Sequence, residues 1–169
     1  MSENTAIMEQ FVKAYDELSD AIFRHCWFRI GDRERAKDLM QDTFTKSWQY
    51  ISQGTQVKNL RPFLYKVANN LIIDEYRKKK ELSLDGLMAQ GFEPGFDEKK
   101  TTEQGIDVKF AIGVINQLDE KYREAVLMRY VDDLSISEIA KILGKSQISV
   151  RVMLHRAVKK LKFLLEKRG

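Results

Sequence analysis

The sequence has little of what several common protein classes require. Its one cysteine, Cys26, cannot form an internal disulfide bond, which fits a reducing compartment. Only two prolines occur, and no apolar run approaches the ~20 residues of a membrane-spanning helix. The N-terminus lacks the order of basic, apolar and small residues that marks a secretory signal. We therefore expect a cytoplasmic protein with no segment inserted in a membrane.

What is present is typical of a globular protein, with 43% hydrophobic and 32% charged residues. The 29 Lys and Arg only slightly exceed the 25 Asp and Glu, but the charges are unevenly placed. Residues 81–104 carry six carboxylates against two lysines, together with three glycines and a proline. Residues 145–169 carry eight basic residues against one acidic residue, and residues 77–80 are all basic. A charge run alone is compatible with a solvated helix face as well as with a nucleic-acid partner.

Outside residues 81–104, apolar residues recur at three- and four-residue steps, which predicts helices. Asp32 is placed to cap a second helix, Gly54 to end it, and Pro62 fits the first turn of a third helix that runs to about Lys80. No segment alternates with the period of two that a strand needs. The sequence therefore predicts an all-α protein with two small helical domains, residues 1–80 and 105–169, joined by a flexible acidic linker at residues 81–104.

The most specific local pattern lies at residues 135–154. Ser135-Ile136-Ser137-Glu138 is a capping box that starts a short helix. Gly144 suits a tight turn with positive φ, and Ala140 lets two helices approach closely. The residues expected to fill the wedge between these helices are Ile139, Leu143, Ile148, Val150 and Met153. The pattern predicts a helix-turn-helix, although a plain helical hairpin is the alternative.

The second helix of such a unit enters the major groove of DNA with its N-terminal residues. Arg151, Val152, His155 and Arg156 can share one face there, and arginine can pair with guanine through two hydrogen bonds. The amides at Ser146 and Gln147 lie at the positive end of the helix and suit a phosphate. His155 is equally compatible with an ordinary surface histidine.

The third helix has two distinct faces. One face is an apolar stripe that predicts core packing: Leu60, Leu64, Val67, Ala68, Leu71 and Ile72. The other presents Phe63, Lys66, Asn70 and Arg77, with Tyr65 and Tyr76 beside it. Interleaved aromatic, amide and basic groups suit unstacked bases and their phosphates. The alternative is that these aromatic residues simply complete a small core.

Three motifs follow one another along the chain at residues 36–48, 60–77 and 118–157, and in this order they resemble the extracytoplasmic-function (ECF) sigma factors of bacterial RNA polymerase. Residues 36–48 look like the polymerase-binding stretch of sigma region 2, and residues 60–77 look like the segment that reads and melts the −10 promoter element. Three later segments look like sigma region 4, which reads the −35 element. They are Leu118-Asp119-Glu120 with Arg123, Glu138-Ile139-Ala140, and Ser149-Val150-Arg151 with Arg156-Ala157. The resemblance covers nearly the whole chain apart from the linker.

This resemblance implies partners and sites. The core polymerase would dock on Asp38, Leu39, Gln41, Asp42 and Phe44. The melted −10 strand would contact Phe63, Tyr65, Lys66, Asn70 and Arg77, with the loop at residues 52–59 helping to hold a flipped base. The duplex −35 element would contact Ser146, Gln147, Ser149, Arg151, Val152, His155 and Arg156. An anti-sigma factor is a further candidate partner. Two positions depart from the family pattern. The family usually has an acidic residue at the position of Lys37 and a tryptophan at the position of Phe63.

Two other functional classes match parts of the sequence. A stand-alone helix-turn-helix regulator would explain residues 135–154 but not the exposed face of the third helix. An enzyme could use Asp38 and Asp42 as a carboxylate pair. No set of metal ligands, phosphate-binding glycine loop or nucleophile pattern accompanies them, so we expect no metal, no cofactor and no catalytic residue.

Overall fold

The computed structural model describes residues 2–83 and 108–168, and within these stretches every regular element is a helix. The first stretch contains α1 (Ser2–Ile30), α2 (Arg33–Ser52) and α3 (Leu60–Ser83). The second contains α4 (Val108–Ile115), α5 (Glu120–Val126), α6 (Ile136–Leu143) and α7 (Gln147–Arg168). The predicted all-α class is confirmed. The chain forms two compact units, Met1–Gly95 and Phe96–Gly169.

The first unit is a bundle in which α1 packs against both α2 and α3. Gly31 ends α1 with a φ of 77°, a left-handed conformation that glycine adopts without strain. The Asp32 carboxylate then accepts a hydrogen bond from the Arg35 amide at 3.1 Å and caps α2 as predicted. The predicted apolar stripe of α3 faces inward, and Leu64, Val67, Ala68 and Ile72 are buried.

Two polar contacts link the helices of this unit. The Arg35 guanidinium on α2 donates hydrogen bonds to both carboxylate oxygens of Glu75 on α3, each at 2.7 Å. These hydrogen bonds are the main reason that the pKa of Glu75 lies below its ordinary value and that of Arg35 above it. The Tyr76 hydroxyl donates a hydrogen bond to the carbonyl of Arg29. Together these contacts hold α3 to α2 and α1.

The second unit builds its core around α7, which contacts α4, α5 and α6. Leu118, Val126 and Ala157 are buried together, with Tyr122 and Leu161 packed against them. After α5 the chain continues as a π-helical turn over Leu127–Val131. Asp133 then adopts a φ of 54°, and Arg129 donates to the carbonyl of Leu134 at 3.1 Å, which closes the turn that leads into α6.

The predicted linker lies almost wholly outside the described residues. Its first three positions, 81–83, still belong to α3, so this helix runs about one turn beyond the predicted end near Lys80. The basic run at residues 77–80 is therefore helical, and its four side chains are exposed.

Candidate nucleic-acid interface

The helix-turn-helix is present in the second unit with its predicted local features. The Ser135 hydroxyl accepts from the Glu138 amide at 3.1 Å, and the Glu138 carboxylate accepts from the Ser135 amide at 3.0 Å, which completes the capping box. Gly144 has φ 64° and ψ 36°, so the left-handed turn predicted there is confirmed. Ser146 caps α7 by accepting from the Ser149 amide at 3.1 Å. Buried Ala140 and Val150 lie on α6 and α7, the two helices joined by this turn.

The first three turns of α7 present the predicted duplex-binding residues to solvent. Arg151, Val152, His155 and Arg156 are all exposed. Between them, Val150, Met153, Leu154 and Ala157 are buried and anchor the helix on the rest of the unit. Ser146 and Gln147 are exposed at the N-terminus, whereas Ser149 is half-buried. The structure therefore brings most of the predicted residues together on the solvent-exposed face of the first turns of α7.

Ile148 is a correction to the predicted wedge. It is 72% exposed and does not fill the space between α6 and α7. The reason is geometric: Val150 and Met153 already occupy the inward face, and Ile148 lies one turn before Val152 on the outward face. Ile148 is thus an apolar candidate for a thymine methyl contact that sequence reasoning missed. Its position next to the Ser146 cap is the signal that could have identified it.

On α3, in the first unit, four of the residues predicted to contact the −10 strand share one face. Lys66, Asn70 and Arg77 are exposed and Phe63 is half-buried, in agreement with their three-, four- and seven-residue spacings on one helix. Arg77 lies 3.8 Å from Asp74, and both side chains are exposed. The Phe63 ring meets the Tyr50 ring of α2 edge-on, with centroids 6.3 Å apart.

Tyr65 is a correction to the predicted −10 set. It is only 1% exposed, and its ring packs edge-on against buried His25 at 5.1 Å between centroids. Tyr65 directly follows buried Leu64, so it lies on the edge of the apolar stripe that faces α1. A direct base contact would require this ring to leave the core. The structure instead places the Tyr65 ring in the core against His25 of α1.

The loop between α2 and α3 borders an open cavity of about 650 Å³. Thr55, Gln56 and Val57 of the loop line one side, and Asn4 and Met8 of α1 line the other. Tyr65 and Asn70, the expected partners of this loop in a base pocket, do not line this cavity. The loop therefore contributes to a space shared with α1.

The predicted polymerase-docking set divides into surface and core. Asp38, Gln41 and Asp42 are exposed on one side of α2. Leu39 and Phe44 are 2% and 4% exposed and lie in the core, which corrects their predicted place in the docking surface. Phe44 packs against Phe11 and Tyr15 of α1, since α2 turns its apolar stripe toward that helix.

Arg35 connects Asp38, one of the exposed docking residues, with Glu75 of α3. Arg35 lies 3.8 Å from Asp38 while its other nitrogens hold Glu75. Lys37, the departure from the family pattern, is exposed beside Asp38. The candidate docking surface therefore consists of the three polar side chains Asp38, Gln41 and Asp42, while Leu39 and Phe44 are buried.

The part of the chain that the structure describes contains neither a metal-binding cluster nor a membrane-spanning helix. No group of three or more His, Cys, Asp or Glu side chains is arranged there to hold a metal ion. No helix in the same stretches combines the length and apolarity needed to cross a membrane.

Comparisons with known proteins agree with the order of these surfaces. The family model described as "Sigma-70 region 2" matches residues 14–81, and that described as "Sigma-70, region 4" matches residues 112–161. Together the two models match well over half of the chain.

Curated relatives are similar along both units. ECF RNA polymerase sigma factor BldN of Streptomyces coelicolor is 26% identical over 93% of this chain, which spans 61% of BldN. ECF RNA polymerase sigma factor SigL of Mycobacterium tuberculosis is 28% identical over 92% of this chain and 88% of SigL. Among solved structures, the sigma factor RpoE of Bartonella quintana, in complex with the anti-sigma factor NepR, has a similar fold. It matches with a TM-score of 0.76 and 21% identity over 94% of this chain and 98% of RpoE.

Proposed function

The chain belongs to the extracytoplasmic-function family of RNA polymerase sigma factors, and from this membership we propose that its two units divide promoter recognition between them. The second unit reads the −35 element as duplex DNA, and the first captures the −10 strand as it melts. The observation that carries this proposal is the chemical difference between the exposed faces of α7 and α3. One is cationic with small apolar groups, and the other is aromatic with amide and basic groups.

Reading of the −35 duplex depends on the N-terminal half of α7. Arg151 and Arg156 reach guanine edges in the major groove, where a bidentate pair contributes roughly 1–3 kcal/mol of discrimination. Val152 contacts thymine methyl groups, and His155 lies one turn after Arg151 on the same face. Exposed Ser146 and Gln147 offer the helix N-terminus to a phosphate.

Capture of the −10 strand depends on α3. Phe63 offers an aromatic surface, Asn70 an amide that can pair with a base edge, and Lys66 and Arg77 offer charges to phosphates. Unpairing and unstacking a base costs a few kcal/mol, which these contacts must offset. Because α3 is held by Arg35 and Tyr76, its exposed face is positioned before DNA arrives.

Docking on the core polymerase uses Asp38, Gln41 and Asp42 of α2. The polymerase performs the chemistry, so this chain needs no catalytic residue, metal or cofactor of its own, and it works in the cytoplasm with the polymerase. The crystallised RpoE was captured with an anti-sigma factor, and we propose the same class of partner for this chain.

The test uses holoenzyme reconstituted from the full chain and core polymerase. A promoter is first selected from a randomised library by run-off transcription. Binding is then measured on a duplex carrying only its −35 element and on single-stranded DNA carrying only its −10 element. Arg151→Ala is expected to weaken duplex binding about tenfold and to leave single-strand binding unchanged, and Asn70→Ala to do the reverse.

Lys159→Ala is the matched control, because it is an exposed basic residue farther along α7. It should change duplex binding less than Arg151→Ala. Equal defects of Arg151→Ala and Asn70→Ala on both templates would contradict the division of labour. Failure of the wild-type chain to bind core polymerase would favour a stand-alone DNA-binding regulator.

A further inference from the structure

Tyr50 is an exposed aromatic residue that core packing does not account for. It lies in the last turn of α2, is 43% exposed and meets the Phe63 ring at an interplanar angle of 79°. Since α2 ends at Ser52 and α3 begins at Leu60, the two rings stand on opposite sides of the connecting loop. Their contact extends the exposed face of α3 onto α2.

Other aromatic residues of α2 are committed to the interface with α1. Phe44 contacts Phe11 and Tyr15, and the Trp48 ring lies 5.2 Å from that of Phe11. Tyr50 contacts Phe63 of α3 instead. In an edge-on pair, the edge of one ring meets the face of the other, so ring surface remains open to a third aromatic group.

Basic residues lie on both sides of this pair. Lys46 precedes Tyr50 by one turn of α2, and Lys66 follows Phe63 by one turn of α3. Both lysines are exposed. Ring faces for bases, with cations alongside for phosphates, are the combination by which proteins hold single-stranded nucleic acid.

We propose that Tyr50 is a base-stacking residue, which forms with Phe63 a two-ring platform for one unpaired base of the −10 strand. Lys46 and Lys66 bind the phosphates on either side of that base. This inference rests on the proposed function of α3 and extends its DNA-binding face to α2, where the sequence offered no candidate for this role.

The test compares Tyr50→Ala, Tyr50→Leu and Tyr50→Phe in holoenzyme reconstituted from the full chain. The probe is a fluorescent single-stranded DNA pool of about twelve nucleotides, within the size range that such surfaces cover. Tyr50→Ala and Tyr50→Leu should each weaken binding about tenfold, because both remove a stacking surface. Tyr50→Phe should stay within about twofold of wild type, because the ring is kept.

Tyr15→Ala is the matched control. Tyr15 is a 40% exposed tyrosine in the same unit whose ring also meets a phenylalanine edge-on, but that partner is Phe44 in the α1–α2 interface. The affinity of the Tyr15→Ala variant for single-stranded DNA should remain within about twofold of wild type. Binding to core polymerase and to −35 duplex DNA, measured for each variant, verifies that the fold is intact.

Three outcomes would overturn the role of Tyr50. They are wild-type affinity of Tyr50→Leu, a tenfold loss with Tyr50→Phe, or an equal loss with Tyr15→Ala. If Tyr50 variants bind normally while Asn70→Ala is weakened, the proposed function of α3 stands and only the Tyr50 inference fails. If Asn70→Ala and Lys66→Ala also bind normally, strand capture by α3 fails as well.

Discussion

The proposed function gives the exposed faces of α3 and α7 the same polymer in two chemical forms, single-stranded and duplex DNA. The α3 face offers Phe63 beside Tyr50, with an amide and lysines around them. The α7 face offers guanidinium groups and small apolar side chains. An unpaired base exposes its flat surface to a ring, whereas a paired base exposes only its edge and methyl group to the groove. We therefore propose that the chemistry of each face suits one state of the DNA, unpaired for α3 and paired for α7.

The supports of the two faces also differ. A bidentate ion pair between Arg35 and Glu75 holds α3, whereas the left-handed turn at Gly144 and the Ser146 cap lead into α7. The first support contains a titrating carboxylate whose pKa the pairing lowers.

The largest effect should come from substitutions that prevent the chain from binding core polymerase. Replacing Asp38 and Asp42 by lysine reverses the charge of the candidate docking surface, and like charges across an interface cost several kcal/mol. We expect core binding to fall by roughly 100-fold or more. Helical content and −35 duplex binding should remain at wild-type values, as measured by circular dichroism and fluorescence anisotropy.

The matched control replaces Asp16 and Asp20, two exposed aspartates four residues apart on α1, by lysine. This control adds the same charge away from the docking surface and should bind core polymerase nearly normally. Undiminished core binding of the Asp38 and Asp42 double variant would rule out this surface as the docking site.

A smaller effect is expected from Glu75→Gln, which should destabilise the first unit and leave the second unchanged. The loss should be about 1 kcal/mol, because charge-assisted hydrogen bonds are strong but the Arg35 side chain is 37% exposed and partly screened by solvent. Both tryptophans, Trp27 and Trp48, lie in the first unit, so their fluorescence during urea unfolding reports that unit alone. Asp74→Asn, in the exposed pair with Arg77, is the control and should change stability less.

The stability difference between wild type and Glu75→Gln should depend on pH. Because pairing lowers the folded-state pKa of Glu75 below its ordinary value of 4.5, the stabilisation is fully present above 4.5 and is lost as pH falls through the lower folded pKa. The stability difference between wild type and Glu75→Gln should therefore shrink as the medium is acidified. A difference that stays constant in acid would show that the carboxylate charge does not stabilise α3.

The smallest effect concerns Ile148 and refines the duplex side of the comparison. Ile148→Ala should weaken −35 duplex binding about threefold, since it removes an apolar contact of the kind made with thymine methyl groups. Leu165→Ala alters an exposed apolar residue near the other end of α7 and should bind DNA normally. Selection of bound sequences from a random duplex library should show relaxed preference for thymine at one position. An unchanged preference would mean that Ile148 does not face a base.

Much of the helix-turn-helix could be predicted because its signals are local. The capping box of Ser135 with Glu138 and the left-handed turn at Gly144 depend on backbone groups within a few residues, and both predictions are confirmed. The exposed residues of α3 were predictable from helical spacing alone. In contrast, Leu39, Phe44 and Tyr65 were assigned to binding surfaces, although each is buried.

By itself the sequence determined the helices, their caps and the polar faces of α3 and α7, because these depend on spacing along one chain segment. Only the tertiary structure decided which apolar and aromatic side chains remain available to partners. Tyr65 and Phe44 are buried because another helix covers them, while Tyr50 and Ile148 stay exposed because no helix among the described residues covers them. Helical periodicity gives the direction of a side chain about its own axis, but burial depends on which neighbour packs there, and that neighbour is distant in sequence.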